Sequence, residues 1–148
     1  MISGRAEELG GYIEAAWNDA GALVLSPSPQ MRLEVPVSKL RSGSTIKDRE
    51  VWRLIDVERS PFIFAGLRSI EPLYSPVIYH ATGDVTMAGT TRSYAGQLLV
   101  SKEDNGFMSV RGDLPLDIRD FGLEPPRSAF VRIEPVIAVH LSLVATVH

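Results

Sequence analysis

The chain has 148 residues, a formal net charge of −3 and no cysteine. This length is enough for one domain with a substantial core, and 45% hydrophobic with 22% charged residues is typical of a folded chain rather than a disordered one. No run of Lys and Arg exceeds two residues, which argues against a nucleic-acid or anionic membrane partner, and the lack of cysteine excludes disulfides and thiol chemistry.

The sequence has no apolar run of the roughly twenty residues that a membrane-spanning helix needs. Glu7 and Glu8 stand where a signal peptide would have an apolar stretch. We therefore expect a cytoplasmic protein without a membrane span.

Alternation of apolar and polar residues is the dominant periodicity, and it indicates strands with one buried face. The predicted strands cover residues 12–17, 22–25, 30–37, 62–71, 77–87, 93–101, 108–118 and 131–146. Turn signals separate several of them, at 18–21, 26–29, 89–91 and 104–106. About eight strands suffice to close a small barrel, so we expect an all-β chain with one antiparallel barrel domain over residues 1–148.

The inner face of the segment from Phe62 to Glu71 is ambiguous, because Phe62 and Phe64 compete for it with the residues between them. One short helix is predicted before this segment. Thr45 and Asp48 fit a capping box, and the apolar residues that follow form one stripe that can face the sheet and plug a barrel mouth.

Residue chemistry gives little indication of catalysis. The histidines His80, His140 and His148 are not spaced as ligands on one strand or one helical turn. Neither a Gly-x-Ser-x-Gly elbow nor a glycine-rich phosphate loop is present. The sequence therefore predicts no catalytic residues, no metal site and no resident cofactor.

Three landmarks in a fixed order carry a family resemblance. A helical stretch from Asp48 runs into Pro61 and the aromatics after it, the segment Gly83–Arg92 ends a strand at a Gly-Thr-Thr turn, and Asp120-Phe121-Gly122 follows. In this order the chain resembles the YceI-like family, whose members look like lipocalin-style barrels that hold polyisoprenoid lipids.

The resemblance implies a non-catalytic barrel with a tunnel that binds an isoprenoid or quinone-type lipid. Tyr79 and Tyr94 are candidates for polar groups at its mouth, and Trp52 is a candidate lid. The expected ligand-binding residues are Trp52, Phe62, Phe64, Tyr79, Val85, Met87, Tyr94, Leu98, Met108, Val110, Val139 and Leu141.

Relatives in the family usually begin with one more strand, before the segment that matches Gly4 and Arg5. A missing strand would leave an open seam, and exposed strand edges pair readily with other chains. Either the sheet closes with fewer strands, which narrows the tunnel, or another chain covers the edge, and for the second alternative we expect a homodimer.

Two other functions fit the same pattern. The large inward residues Met31, Met87, Leu98 and Met108 suit equally a structural or protein-interaction barrel with a solid core and no ligand. A hydrolase or isomerase acting on an apolar substrate in the barrel is a third hypothesis.

Overall fold

The computed structural model describes residues 10–39, 45–103, 107–124 and 136–146. Among them, seven strands form one antiparallel sheet in chain order, curled into a half-barrel. The strands are β1 (Gly10–Glu14), β2 (Gln30–Pro36), β3 (Phe62–Ser75), β4 (Ile78–Met87), β5 (Thr90–Lys102), β6 (Phe107–Asp117) and β7 (Val136–Thr146). Helix α1 (Thr45–Ile55) and a 3-10 helix (Val37–Lys39) lie between β2 and β3, and a second 3-10 helix (Ile118–Phe121) follows β6. The expected all-β antiparallel architecture with one α-helix is confirmed.

The number of strands differs from the expected eight, because residues 22–25 do not form a ladder. Asn18 Oδ1 accepts hydrogen bonds from the backbone N–H groups of Ala20 and Ala22, at 3.0 and 3.1 Å, and turns the chain there. A single bridge then joins Trp17 to Leu23. The predicted turn at 104–106 and the start of the last predicted strand lie outside the described residues.

The Gly-Thr-Thr landmark is a tight hairpin between β4 and β5. Met87 pairs with Thr90, and the two residues between them, Ala88 and Gly89, have φ angles of 52° and 79°. Two left-handed residues in succession match the twist of a two-residue hairpin turn. The turn predicted at 89–91 thus lies at 88–89, and Thr90 and Thr91 already belong to β5.

Phe121 of the Asp120-Phe121-Gly122 landmark is an aromatic anchor at the end of the second 3-10 helix. Gly122 closes this helix with a φ of 74°, and its N–H returns to the carbonyl groups of Arg119 and Ile118. The Phe121 side chain is buried among core residues.

Two packed clusters occupy part of the inside of the half-barrel. The helix-side cluster lies where α1 and the second 3-10 helix cover the sheet, and it consists of Val37, Val51, Ile55, Ile63, Val85, Met87, Leu116, Ile118 and Phe121. The Tyr79 cluster consists of Leu23, Ile70, Tyr79, Val100, Met108 and Val110. Because Val51 and Ile55 are nearly fully buried, the apolar stripe of α1 faces the sheet, as the sequence predicts.

No helix in the described part of the chain is long and apolar enough to cross a membrane.

Candidate functional site

A cavity of about 190 Å³ lies inside the half-barrel, and we call it the central cavity. Its wall includes Ile63, Val85 and Leu116 of the helix-side cluster. It also includes Leu67 and Leu98, which pack against the Tyr79 cluster. Six strands, β2 to β7, contribute to its wall. The apolar side chains on that wall are Met31, Leu33, Val35, Ile63, Ala65, Leu67, Ala81, Val85, Tyr94, Leu98, Leu114, Leu116, Val139 and Leu141.

Small residues explain why this part of the interior is hollow. Ala81 pairs with Gly96 across β4 and β5, Gly83 pairs with Tyr94, and Leu98 pairs with Gly112 across β5 and β6. Ala81 and Gly96 leave space on this wall that larger side chains fill in a close-packed interior. A Cβ atom at Gly83 would instead lie 2.7 Å from the carbonyl oxygen of Gly66, and Leu98 already fills the room beside Gly112. The register places Ala81 and Gly96 directly opposite each other, so the space they leave is shared.

Two carboxylates border the central cavity, those of Asp84 and Asp113, and each contacts a basic side chain at the protein surface. Asp84 Oδ1 lies 3.5 Å from Nη1 of Arg68, and the side chains of Arg68 and Asp84 are 60% and 41% exposed. Asp113 contacts Nδ1 of His140 across β6 and β7, again between exposed side chains. Since these charges have partners outside, the wall facing the cavity is dominated by aliphatic carbon.

Tyr94 brings a hydroxyl group to the helix-side end of the wall. This hydroxyl donates to Oδ2 of Asp120 at 2.7 Å, and the ring stacks on Phe121 with centroids 6.0 Å apart and an interplanar angle of 13°. Burial, followed by the hydrogen bond and the negative charge of Asp120, raises the pKa of Tyr94 to about 12. The side chain is thus neutral at physiological pH, and two contacts fix its position.

The carboxylate that caps the second 3-10 helix lies beside this group. Asp117 accepts hydrogen bonds from the backbone N–H and the guanidinium of Arg119, at distances down to 2.7 Å. The guanidinium hydrogen bond, followed by the backbone one, holds the pKa of the Asp117 carboxyl below its usual value. Because the charge of Arg119 is already paired with Asp117, Arg119 is not an uncompensated cation for an anionic head group.

The raised pKa of Tyr94 gives a testable pH dependence. An ordinary tyrosine titrates at 10.0 and Tyr94 at about 12, so the stability it contributes is fully present below pH 10 and is lost as the pH rises to about 12. The test compares the phenolate absorbance of wild type and of the Tyr94→Phe variant as a function of pH. We expect the difference between the two curves to show one group that titrates near pH 12. A difference curve with a midpoint near pH 10 would contradict this assignment.

A sequence model of the YceI-like domain family matches residues 2–145 of this chain. The chain belongs to the YceI-like family. The order of landmarks from the α1 segment to Asp120-Phe121-Gly122 therefore identified the family correctly. No curated protein matches the sequence.

Solved structures show the same fold at low sequence identity. The crystal structure of BcnA from Burkholderia cenocepacia has a TM-score of 0.72 and 16% identity, with 93% of this chain and 84% of that one covered. A Campylobacter jejuni YceI protein has a TM-score of 0.74 and 12% identity over 99% of this chain and 85% of that one. A polyisoprenoid binding domain from Saccharophagus degradans, implicated in plant cell wall breakdown, has a TM-score of 0.65 and 11% identity, covering 92% and 82%.

The structure brings five of the twelve sequence-predicted site residues to the central cavity of this YceI-like domain. These are Val85, Tyr94, Leu98, Val139 and Leu141. They come from β4, β5 and β7, so the alternation of apolar residues along those strands was sufficient to find them.

Five other predicted site residues belong to the packed ends of the interior. Met87 lies in the helix-side cluster and Trp52 packs against it. Tyr79, Met108 and Val110 lie in the Tyr79 cluster. These five side chains support the cavity from either end without lining it.

Phe62 and Phe64 lie on the other face of β3. The cavity wall takes the alternate residues Ile63, Ala65 and Leu67, while Phe62 is 41% exposed and its ring centroid is 6.2 Å from that of Phe64. Ala65 pairs with Val85, and that register places it inward. The pairing resolves the ambiguity that the sequence leaves at this strand.

Sequence reasoning missed the small residues on the cavity wall. Gly83 and Gly112 suggest bends when each is read on its own, and Ala81 and Gly96 carry no chemical signal. The informative signal is their combination, because they interrupt the inward apolar stripes of β4, β5 and β6, which are neighbours in the sheet. Among the described residues, no group of three or more His, Asp or Glu side chains is placed to hold a metal ion.

Proposed function

We propose that this protein binds an isoprenoid or quinone-type lipid in the central cavity and does not catalyse a reaction on it. The observation that carries the proposal is a cavity of about 190 Å³ with aliphatic walls, set between two packed clusters. Membership of the YceI-like family and the similarity to a polyisoprenoid binding domain support the same class of ligand.

The size of the cavity fits part of a lipid rather than all of it. An apolar cavity of about 150 Å³ in another protein holds one benzene molecule, and typical small-molecule pockets begin at about 300 Å³. The central cavity therefore accepts roughly one or two five-carbon isoprene units. The rest of a longer chain would extend beyond the cavity walls described above.

The energy available from such burial supports modest affinity. Five to ten methylene-sized groups at about 0.8 kcal/mol each give about 4–8 kcal/mol before losses. Immobilising the lipid removes part of this, which leaves dissociation constants of about micromolar to millimolar. Neutral head groups suit the site, since the Tyr94 hydroxyl is neutral and the nearby Arg119 is paired with Asp117.

Native mass spectrometry of the purified protein, followed by organic extraction, tests the proposal. We expect added mass of isoprenoid size that is lost on extraction and regained on incubation with prenyl quinones or prenyl alcohols. An extracted but folded protein that takes up none of these lipids would instead favour the structural or protein-interaction barrel.

The homodimer expected from the sequence stays a prediction, and the same spectrum tests it. Strands β1 and β7 each have one ladder partner among the described residues, and edges of this kind can pair with a second chain.

A further inference from the structure

Three side chains form the boundary between the central cavity and a second, smaller space. Met31, Leu67 and Leu98 line both the cavity and a void of about 20 Å³. We call these three residues the floor of the cavity. The void on their other side is bordered by members of the Tyr79 cluster, including Ile70, Val100 and Met108.

Leu98 is the floor residue that has a ladder partner on both neighbouring strands. It pairs with Tyr79 on β4 and with Gly112 on β6. A Cβ atom added to Gly112 would lie 2.6 Å from Cδ2 of Leu98, so the leucine side chain occupies room that any larger residue at 112 would take. The side chain of Leu98 can therefore extend over Gly112 of β6, because Gly112 has no side chain.

The structure behind the floor is held more firmly than the floor itself. Tyr79 is almost fully buried, and its hydroxyl accepts from the N–H of Leu23 and donates to the carbonyl of Pro76. By contrast, Met31, Leu67 and Leu98 are only half-buried. Shortening a floor side chain therefore opens the void without disturbing those two hydrogen bonds.

We propose that Leu98, with Met31 and Leu67 beside it, limits the length of apolar chain that the central cavity accepts. The inference rests on the proposed lipid binding and makes it more specific, since it assigns the length preference to the floor. The native floor favours ligands whose buried tail is short. A smaller residue at position 98 joins the void to the cavity and admits a longer tail.

The test compares wild type with Leu98→Ala in a competition among prenyl alcohols of increasing length. Each protein is incubated with an equimolar mixture of prenols of about two, three and four isoprene units, and native mass spectrometry gives the fraction bound of each. We expect Leu98→Ala to raise the ratio of the longest to the shortest bound prenol by about tenfold, which corresponds to about two more buried methylene-sized groups.

Leu25→Ala is the matched control, because Leu25 packs against the Tyr79 cluster but lines neither space. We expect its length profile to equal that of wild type. If Leu98→Ala does not fold, as judged by circular dichroism, Met31→Ala decides the question and should show the same shift.

The outcomes separate the two proposals. A folded floor variant that binds prenols with the wild-type length profile overturns the role of the floor and leaves lipid binding intact. A shift of equal size in Leu25→Ala also overturns it, since general loosening would then be the cause. Wild-type protein that binds no prenol of any length overturns the proposed function itself.

Discussion

Replacing Ala81 by leucine should reduce prenyl-lipid uptake by more than about tenfold and leave the protein folded. Ala81 is 8% exposed, lines the central cavity and pairs with Gly96. A leucine at this position projects into space that the glycine opposite leaves free. It therefore occupies the volume that the proposal assigns to the lipid.

The stability of Ala81→Leu should stay within about 2 kcal/mol of wild type. Three added apolar carbons gain up to about 2 kcal/mol if the cavity accommodates them, while overpacking typically costs about 1–3 kcal/mol. Lipid extraction with mass spectrometry measures the uptake, and chemical denaturation measures the free energy of unfolding.

Ala16→Leu is the matched control for this experiment. Ala16 is exposed and lines neither the central cavity nor the smaller void. The Ala16→Leu variant should therefore take up as much prenyl lipid as wild type. A folded Ala81→Leu variant that takes up as much prenyl lipid as wild type would show that the lipid binds elsewhere.

Replacing Tyr79 by phenylalanine should lower the free energy of unfolding by about 1–3 kcal/mol. The hydroxyl accepts from the N–H of Leu23 at 2.8 Å and donates to the carbonyl of Pro76 at 2.6 Å. Phenylalanine preserves the packing but leaves the buried Leu23 N–H without this partner. Denaturant titration should show a lower midpoint with an unchanged slope.

Tyr74→Phe provides the comparison, because Tyr74 is 80% exposed at the β3–β4 hairpin. Its effect should stay within about 0.5 kcal/mol, as for most surface substitutions. Equal midpoints for the two variants would mean that water replaces the Tyr79 hydroxyl at the Leu23 N–H.

Much of the sheet could be predicted from local alternation alone. Along β5, every second residue from Tyr94 to Val100 faces the interior, and three of these, Tyr94, Leu98 and Val100, are large enough to stand out in the sequence. The apolar stripe of α1 and the aromatic anchor Phe121 could also be predicted from the sequence, because each pattern involves residues within one or two helical turns of one another.

The inner face of β3 could not be predicted in the same way, because apolar residues occupy both faces at its start. Pairing of Ala65 with Leu33 on β2 and with Val85 on β4, 32 and 20 residues away along the chain, makes Ala65 rather than Phe64 the inward residue. A register shift between Leu67 and Ser69 then breaks the strict alternation, so that Leu67 and Ile70 both face the interior. Non-local pairing decides the face, and a single sequence does not display that pairing.

Local sequence patterns also could not predict which parts of the interior are packed and which are hollow. Apolar stripes look alike whether they pack together or border a space. Only the stagger between strands shows that Ala81 and Gly96 lie opposite each other and that Gly112 lies beside Leu98. The central cavity is therefore a property of the strand register more than of any one residue.

The hollow middle of the half-barrel has an energetic consequence for the protein itself. At about 24 cal/mol per Å³ of unfilled volume, a cavity of about 190 Å³ represents at most about 4.6 kcal/mol of packing that the empty fold lacks. That amount is a sizeable fraction of the roughly 5–15 kcal/mol by which ordinary domains are stable. An apolar occupant of the proposed kind would restore part of it, so we expect a loaded molecule to resist heat and proteolysis better than a vacant one.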